Sequence, residues 1–132
     1  MRYFFATCVF LIATFNASGQ SLPALLAAIE EAGTDSLKIQ AYENIADRLR
    51  YRHADSALFF AKKGLTHARE NGYEMGMGIM SNMIGKIHER HGQLELAENH
   101  YLEAREIFTR LRHKKGVAIT TMALGVVSGR TG

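Results

Sequence analysis

The stretch GIMSNMIGKIHERHGQLELAENHYLEA, residues 78–104, holds the strongest pattern in the chain. Ile79, Met83, Ile84 and Ile87 extend a stripe begun at Met75, spaced as one face of a helix, and Gly92 stops it. Leu94, Ala97, Tyr101 and Ala104 resume the same spacing and carry it on to Phe108 and Leu111. Two amphipathic helices joined by a short turn follow from this one window.

On either side of it the helical pattern persists. Ser21-Leu22-Pro23 opens a short helix with Leu25, Leu26 and Ile29 on one side and Gly33 as its stop. Thr34-Asp35 are capping residue types ahead of Leu37, Ala41, Ile45, Ala46 and Leu49. Asp55 is the next candidate cap, before Ala57, Ala61, Gly64, Leu65 and Ala68, and Asn71-Gly72 ends that run. Ile119, Met122, Leu124 and Val126 begin a last helix. A single proline and no strand pattern outside Phe4 to Phe15 make the fold class all-α.

The chain also repeats itself at one constant offset. Gly76 returns as Gly116, Gly85 as Gly125, Gly92 as Gly132, Ile79 as Ile119, Ala57 as Ala97 and Gly64 as Ala104. A helix–turn–helix unit of that length cannot bury its apolar face alone and stacks on copies of itself. Counted from Gly78 as position one, Gly85 is eight, Gly92 fifteen, Ala97 twenty, Tyr101 twenty-four and Ala104 twenty-seven. This pattern resembles the tetratricopeptide repeat, whose signature puts small residues at eight, twenty and twenty-seven. Ser81, His88 and Thr109 depart from it, standing where a large aromatic, a tyrosine and a proline are usual.

The resemblance implies a right-handed α-solenoid of antiparallel helix pairs. It implies that Gly85 and Ala97 face each other where the helices cross, with Tyr101 in the larger gap beyond and Gly92 in the turn. Ala57, Ala104 and Gly125 are the corresponding packing positions of other units. The expected layout is a short helix over 20–33, then repeats over about 35–72 and 73–112, with the first helix of a third at 114–130. Family members take ligands on the concave face, which here implies Glu43, Asp47 and Arg50 in the first repeat and Asn82, Lys86, Glu89 and Arg90 in the second. The implied role is protein–protein or protein–peptide interaction. The long unit also resembles the periplasmic N-terminal regions of bacterial sensor histidine kinases and related regulators. A free-standing exported scaffold or assembly adaptor is the alternative. Gly132 falls on the turn position of the third repeat. The sequence is then either a piece of a longer protein, or its uncapped end meets a partner, self-association included.

Residues 1–19 read as an address. Arg2 precedes the apolar run Phe4 to Phe15, and Ala17 and Gly19 suit a signal peptidase that cuts after Gly19. The apolar run is shorter than the ~20 residues that span a bilayer, so an exported, periplasmic or extracellular product is expected, with an uncleaved anchor as the alternative. Cys8, the sole cysteine, lies in that run and excludes an intrachain disulfide or a multi-cysteine zinc site.

Catalytic motifs are missing. There is no Gly-x-Ser-x-Gly, no HExxH and no phosphate-cradling glycine loop, so neither an enzyme nor a cofactor is expected. Gly72, Gly76 and Gly78 read as a helix stop followed by small residues for close packing. His88 and His91 have a metal-compatible spacing but lack converging ligands, and no metal is expected. The basic run Arg110, Arg112, His113, Lys114, Lys115 could touch phosphate, yet it reads better as a solvated loop between repeats. A formal charge of +3 without interleaved aromatics gives no reason to expect nucleic acid.

Overall fold

The computed structural model describes residues 21–132, so the expected signal segment and its cleavage site lie outside the described residues. Six helices follow one another: α1 (Leu22–Glu31), α2 (Asp35–Leu49), α3 (Ala54–Glu70), α4 (Glu74–Arg90), α5 (Leu94–Arg110) and α6 (Lys114–Thr131). The fold is all-α, and no strand occurs among the described residues. None of the described helices is long and apolar enough to cross a membrane.

The helix starts reveal a finer period than the sequence pattern did. From α3 to α6 they fall at 54, 74, 94 and 114. Each of the last three turns is closed by the same pair of backbone bonds. Gly72, Gly92 and Arg112 donate to the carbonyls of Arg69, Glu89 and Thr109, and the next residue donates to Ala68, His88 or Phe108. The first residue of each pair takes a left-handed conformation, at φ 63°, 76° and 54°. Glycine reaches that region freely in the first two turns. Arg112 reaches it without that freedom, because the turn after α5 keeps the geometry of the other two.

Two expectations about local structure change. Asp55 is not the cap of α3. The helix begins at Ala54 behind His53, and Asp55 sits in its first turn, where its charge complements the helix dipole. The basic run is not a loop either: Arg110 closes α5, Lys114 and Lys115 open α6, and only Leu111–His113 turn. The cap of α6 is His113, whose Nδ1 accepts from the Gly116 N–H at 3.0 Å. Thr34 does cap α2, accepting from the Leu37 N–H at 3.2 Å.

Three-residue turns fold each of the last helices back against its predecessor, and consecutive helices pack along the whole chain. The even-numbered helices also meet: α4 touches α2 and α6, whereas α3 and α5 do not approach each other at backbone distance. The main core lies among α1 to α4, from Leu25 and Ile29 through Ile39, Ile45, Ala61 and Leu65 to Met80 and Ile87. A second cluster joins Ala97 and Tyr101 of α5 to Val127 of α6.

Glycines decide how closely α4 is approached. A Cβ on Gly64 would strike Met80 and Tyr42, and one on Gly78 would lie 2.8 Å from the Phe108 ring. One on Gly85 would lie 2.7 Å from the ring of Tyr101. The immediate neighbour of Gly85 is thus the Tyr101 ring, which sits directly on the glycine and not in a space beyond it. Ala57, Ala97 and Ala104 are fully buried, as is Tyr101. Gly125 departs from the packing expected of it: it is exposed, and nothing lies within 4 Å of its Cβ position among the described residues. The reason is that α5 covers Gly85, and no described helix covers the matching side of α6.

Candidate functional site

Because α2, α4 and α6 lie side by side, side chains near their C-terminal ends form one strip. On α2, Glu43 and Asp47 stand one turn apart, and Asp47 Oδ1 is 2.8 Å from Arg50 Nε. That contact is an ion pair without the alignment of a hydrogen bond. Arg50 Nη2 donates instead to the Tyr51 hydroxyl at 2.6 Å.

The strip crosses to α4 in three places. Burial pushes the Glu43 carboxyl above its ordinary value, Lys86 on α4 pulls it back, and Asp47 adds to the rise. The Tyr51 ring takes two guanidinium groups, Arg50 Cζ at 4.4 Å and Arg90 Cζ at 4.3 Å from its centroid. His91 Nε2 donates to the Arg50 carbonyl at 3.0 Å. Basic side chains at these helix ends also complement the negative ends of the dipoles of α2 and α4.

From α4 the strip continues to α5 and α6 through Glu89. Tyr101 of α5 donates its hydroxyl to Glu89 Oε2 at 2.6 Å. Arg130 of α6 lies 3.6 Å from Glu89 Oε1 and donates to the Glu89 carbonyl at 3.2 Å. Burial, with the hydrogen bond and charge of Glu89, drives the Tyr101 phenol far above its ordinary value, against a small opposing effect of Arg50. Tyr101 therefore stays a neutral donor.

Six of the seven concave-face candidates converge here: Glu43, Asp47, Arg50, Lys86, Glu89 and Arg90. Asn82 does not join them in the open. It is 9% exposed, and its Oδ1 finds no partner among the described residues. Tyr51, His91 and Arg130 belong to the strip, though the motif pattern did not single them out. An available signal was the repeat offset itself, which places an arginine at 50, 90 and 130.

The arrangement offers fixed guanidinium, carboxylate and aromatic groups, which suit recognition of a polar or charged partner. The two histidines with metal-compatible spacing diverge. His91 faces Arg50, while His88 is buried, donates from Nδ1 to Gln93 Oε1 at 2.6 Å and stacks on His100 at 5.7 Å between ring centroids. Stacked rings point their nitrogens along parallel planes and not at a common point. No group of three or more metal-ligating side chains occurs among the described residues.

No protein-family profile, curated protein or solved structure matches the chain.

Proposed function

We propose that the chain is a non-catalytic protein-interaction module of tetratricopeptide type, coiled as a right-handed α-solenoid. We further propose that it forms the N-terminal part of a periplasmic sensing region in a bacterial signalling protein, exported by its first nineteen residues. The observation that carries the binding role is the strip across α2, α4 and α6, where an arginine recurs at 50, 90 and 130, at or just past the C-terminal end of each of these helices. The half-exposed Tyr51 ring between two of these arginines gives a partner an aromatic surface flanked by charge.

The test is a selection of peptides from a randomised library against the folded chain, followed by titration calorimetry. Selected peptides should lose at least tenfold in affinity with Tyr51→Ala or Arg90→Ala, at unchanged helicity. Lys63→Ala on α3 should leave affinity as it was. Peptides insensitive to both strip variants, or no enrichment at all, would overturn the assignment of the binding face. Cell fractionation of the full chain addresses export: recovery in the cytoplasm with Met1 retained would remove the periplasmic part of the proposal.

A further inference from the structure

A groove of about 420 Å³ runs between α2 and α3, a volume in the range of small-molecule sites. Both helices lie inside the array, each packed against neighbours on two sides. Two contacts fix their register. Asp35 meets His67, and Tyr42 Cβ lies 2.9 Å from the Cβ position of Gly64. Tyr42 thus stands level with Lys63, and Lys38 one turn further toward His67. Tyr42 is the most buried residue of the lining, at 9% exposure, and its hydroxyl bonds to no described residue. Burial, then the charge of Glu30 on α1, raises its phenol above the ordinary value, so the hydroxyl keeps its proton to donate. Thr66 brings a second hydroxyl to the groove. Thr109, Thr120 and Thr131 each return theirs to the carbonyl four residues back, whereas Thr66 makes no such bond among the described residues.

The charge around these hydroxyls is one-sided. Lys38 of α2 and Lys62 and Lys63 of α3 line the groove, and none of the three pairs with a carboxylate among the described residues. Nor does a carboxylate stand three or four residues from Lys62 or Lys63 along α3, where a solvated helix surface ordinarily places one. Glu70 is the carboxylate of the lining. Asp35 is spent on His67, whose Nε2 donates to Oδ1 at 2.8 Å while Asn71 Nδ2 lies 3.4 Å from Nδ1. That ring is held on both sides and forms a wall without a free donor. At the repeat offset, α5 carries Asn99, Leu102, Glu103 and Glu106 in place of Phe59, Lys62, Lys63 and Thr66. A basic and aromatic outer face is therefore particular to α3 and not a property of every solvated helix here.

Phe59 adds an apolar surface one turn from Lys63. It is 53% exposed, meets Phe60 edge-on at 5.2 Å between centroids, and carries Lys63 Nζ 5.0 Å from its own centroid. An ammonium resting on an exposed ring gains less than one bonded to a dianion. Three ammonium groups against one lining carboxylate suit about two negative charges, which a phosphate monoester carries at neutral pH and a carboxylate does not. We propose that this groove binds a small-molecule phosphate monoester carrying a planar aromatic group. Lys38, Lys62 and Lys63 gather on the phosphoryl oxygens, and the Tyr42 and Thr66 hydroxyls donate to them. Lys63 leaves the Phe59 ring for the phosphate, and the aromatic group of the ligand stacks on the face it frees. The groove lies apart from the strip and does not depend on what the strip binds.

The test is titration calorimetry of the folded chain in low-salt buffer with phenyl phosphate, inorganic phosphate and benzoate. Phenyl phosphate should saturate with a Kd of about 1 mM or tighter, and bind at least about tenfold tighter than the other two. The double variant Lys62→Gln with Lys63→Gln should weaken phenyl phosphate at least about tenfold, and raised salt should weaken it in the parent chain. Phe59→Ala should bring phenyl phosphate down to the affinity of inorganic phosphate. Arg90→Ala, on the strip, should change neither. Phe59, Lys62 and Lys63 are exposed, and unchanged melting curves confirm folding. No saturable binding up to about 10 mM, equal affinity for phenyl and inorganic phosphate, or indifference to the lysine double variant would each overturn the proposal. So would a tyrosine-phosphorylated peptide that binds more than about tenfold tighter than phenyl phosphate, since the groove would then serve a protein ligand.

Discussion

Helices α4 and α6 sit one repeat offset apart and share two glycines in register, Gly76 with Gly116 and Gly85 with Gly125, yet they live in different surroundings. Ten residues of α4 are buried, against three of α6. Gly85 and Gly125 make the contrast concrete. A Cβ on the first meets an aromatic ring at 2.7 Å, and a Cβ on the second meets nothing within 4 Å. The same residue type at the same register is a packing device in one helix and an uncompensated flexible point in the other. What differs at the two glycines is the neighbour: α5 lays the Tyr101 ring on Gly85, and no described helix reaches Gly125.

Removing the neighbour tests this contrast most severely. Tyr101→Ala takes away the ring that covers Gly85 and leaves Glu89 Oε2 without its phenol donor. Loss of a fully buried aromatic side chain should cost about 3–5 kcal/mol, read as a lowered denaturation midpoint. A loss below about 1 kcal/mol would mean that the ring is not the cover described, since truncating an ill-packed side chain costs little.

A finer test exchanges the two glycines for alanine. Gly85→Ala should destabilise by about 1–3 kcal/mol, because the ring is held from behind by its bond to Glu89 and cannot retreat freely. Gly125→Ala should instead stabilise by about 0.5–1 kcal/mol, the ordinary gain from replacing an exposed mid-helix glycine. Equal signs in the two variants would dissolve the contrast between α4 and α6.

A weaker effect concerns the histidine pair between α4 and α5. Burial lowers the His100 pKa below its ordinary 6.5, and His88, Lys62 and Arg69 push the same way against Glu103. The folded value is depressed, so the unfolded chain binds the proton more readily. Stability is then full above pH 6.5 and declines as pH falls through the folded value. His100→Gln should flatten the fall in melting temperature between pH 7 and 5, with little change at pH 8. An unchanged slope would place the proton uptake elsewhere.

Much of the helical layout was legible because apolar spacing reports a buried face wherever one exists. Ile79 to Ile87 and Leu94 to Leu111 map onto α4 and α5, and the glycine stops at 72 and 92 onto turns. The turn at Arg112 was not legible, since its geometry is imposed by the helices on either side and arginine does not advertise a left-handed backbone. Asp55 misled for a related reason: a residue favoured at a cap is also favoured in the first turn. For the candidate site, register brought six residues together, but burial of Asn82 depends on side chains arriving from other helices. The Tyr51 stack and the His88–His100 stack lie across sequence separations that no single-helix pattern encodes.

The regular turns carry a consequence for how such a chain tolerates insertion and deletion. From α3 onward the helices start at equal intervals, at 54, 74, 94 and 114. Excising two intervals, from the middle of one helix to the matching point two helices on, removes one odd and one even helix. The joint restores a helix of the same kind, and the alternation survives. Excising a single interval joins helices of opposite kind, so every later helix exchanges its role. Side chains suited to the strip would then fall on helices that do not adjoin. Length change in this architecture is therefore quantised: double steps conserve which surface is which, and single steps invert it.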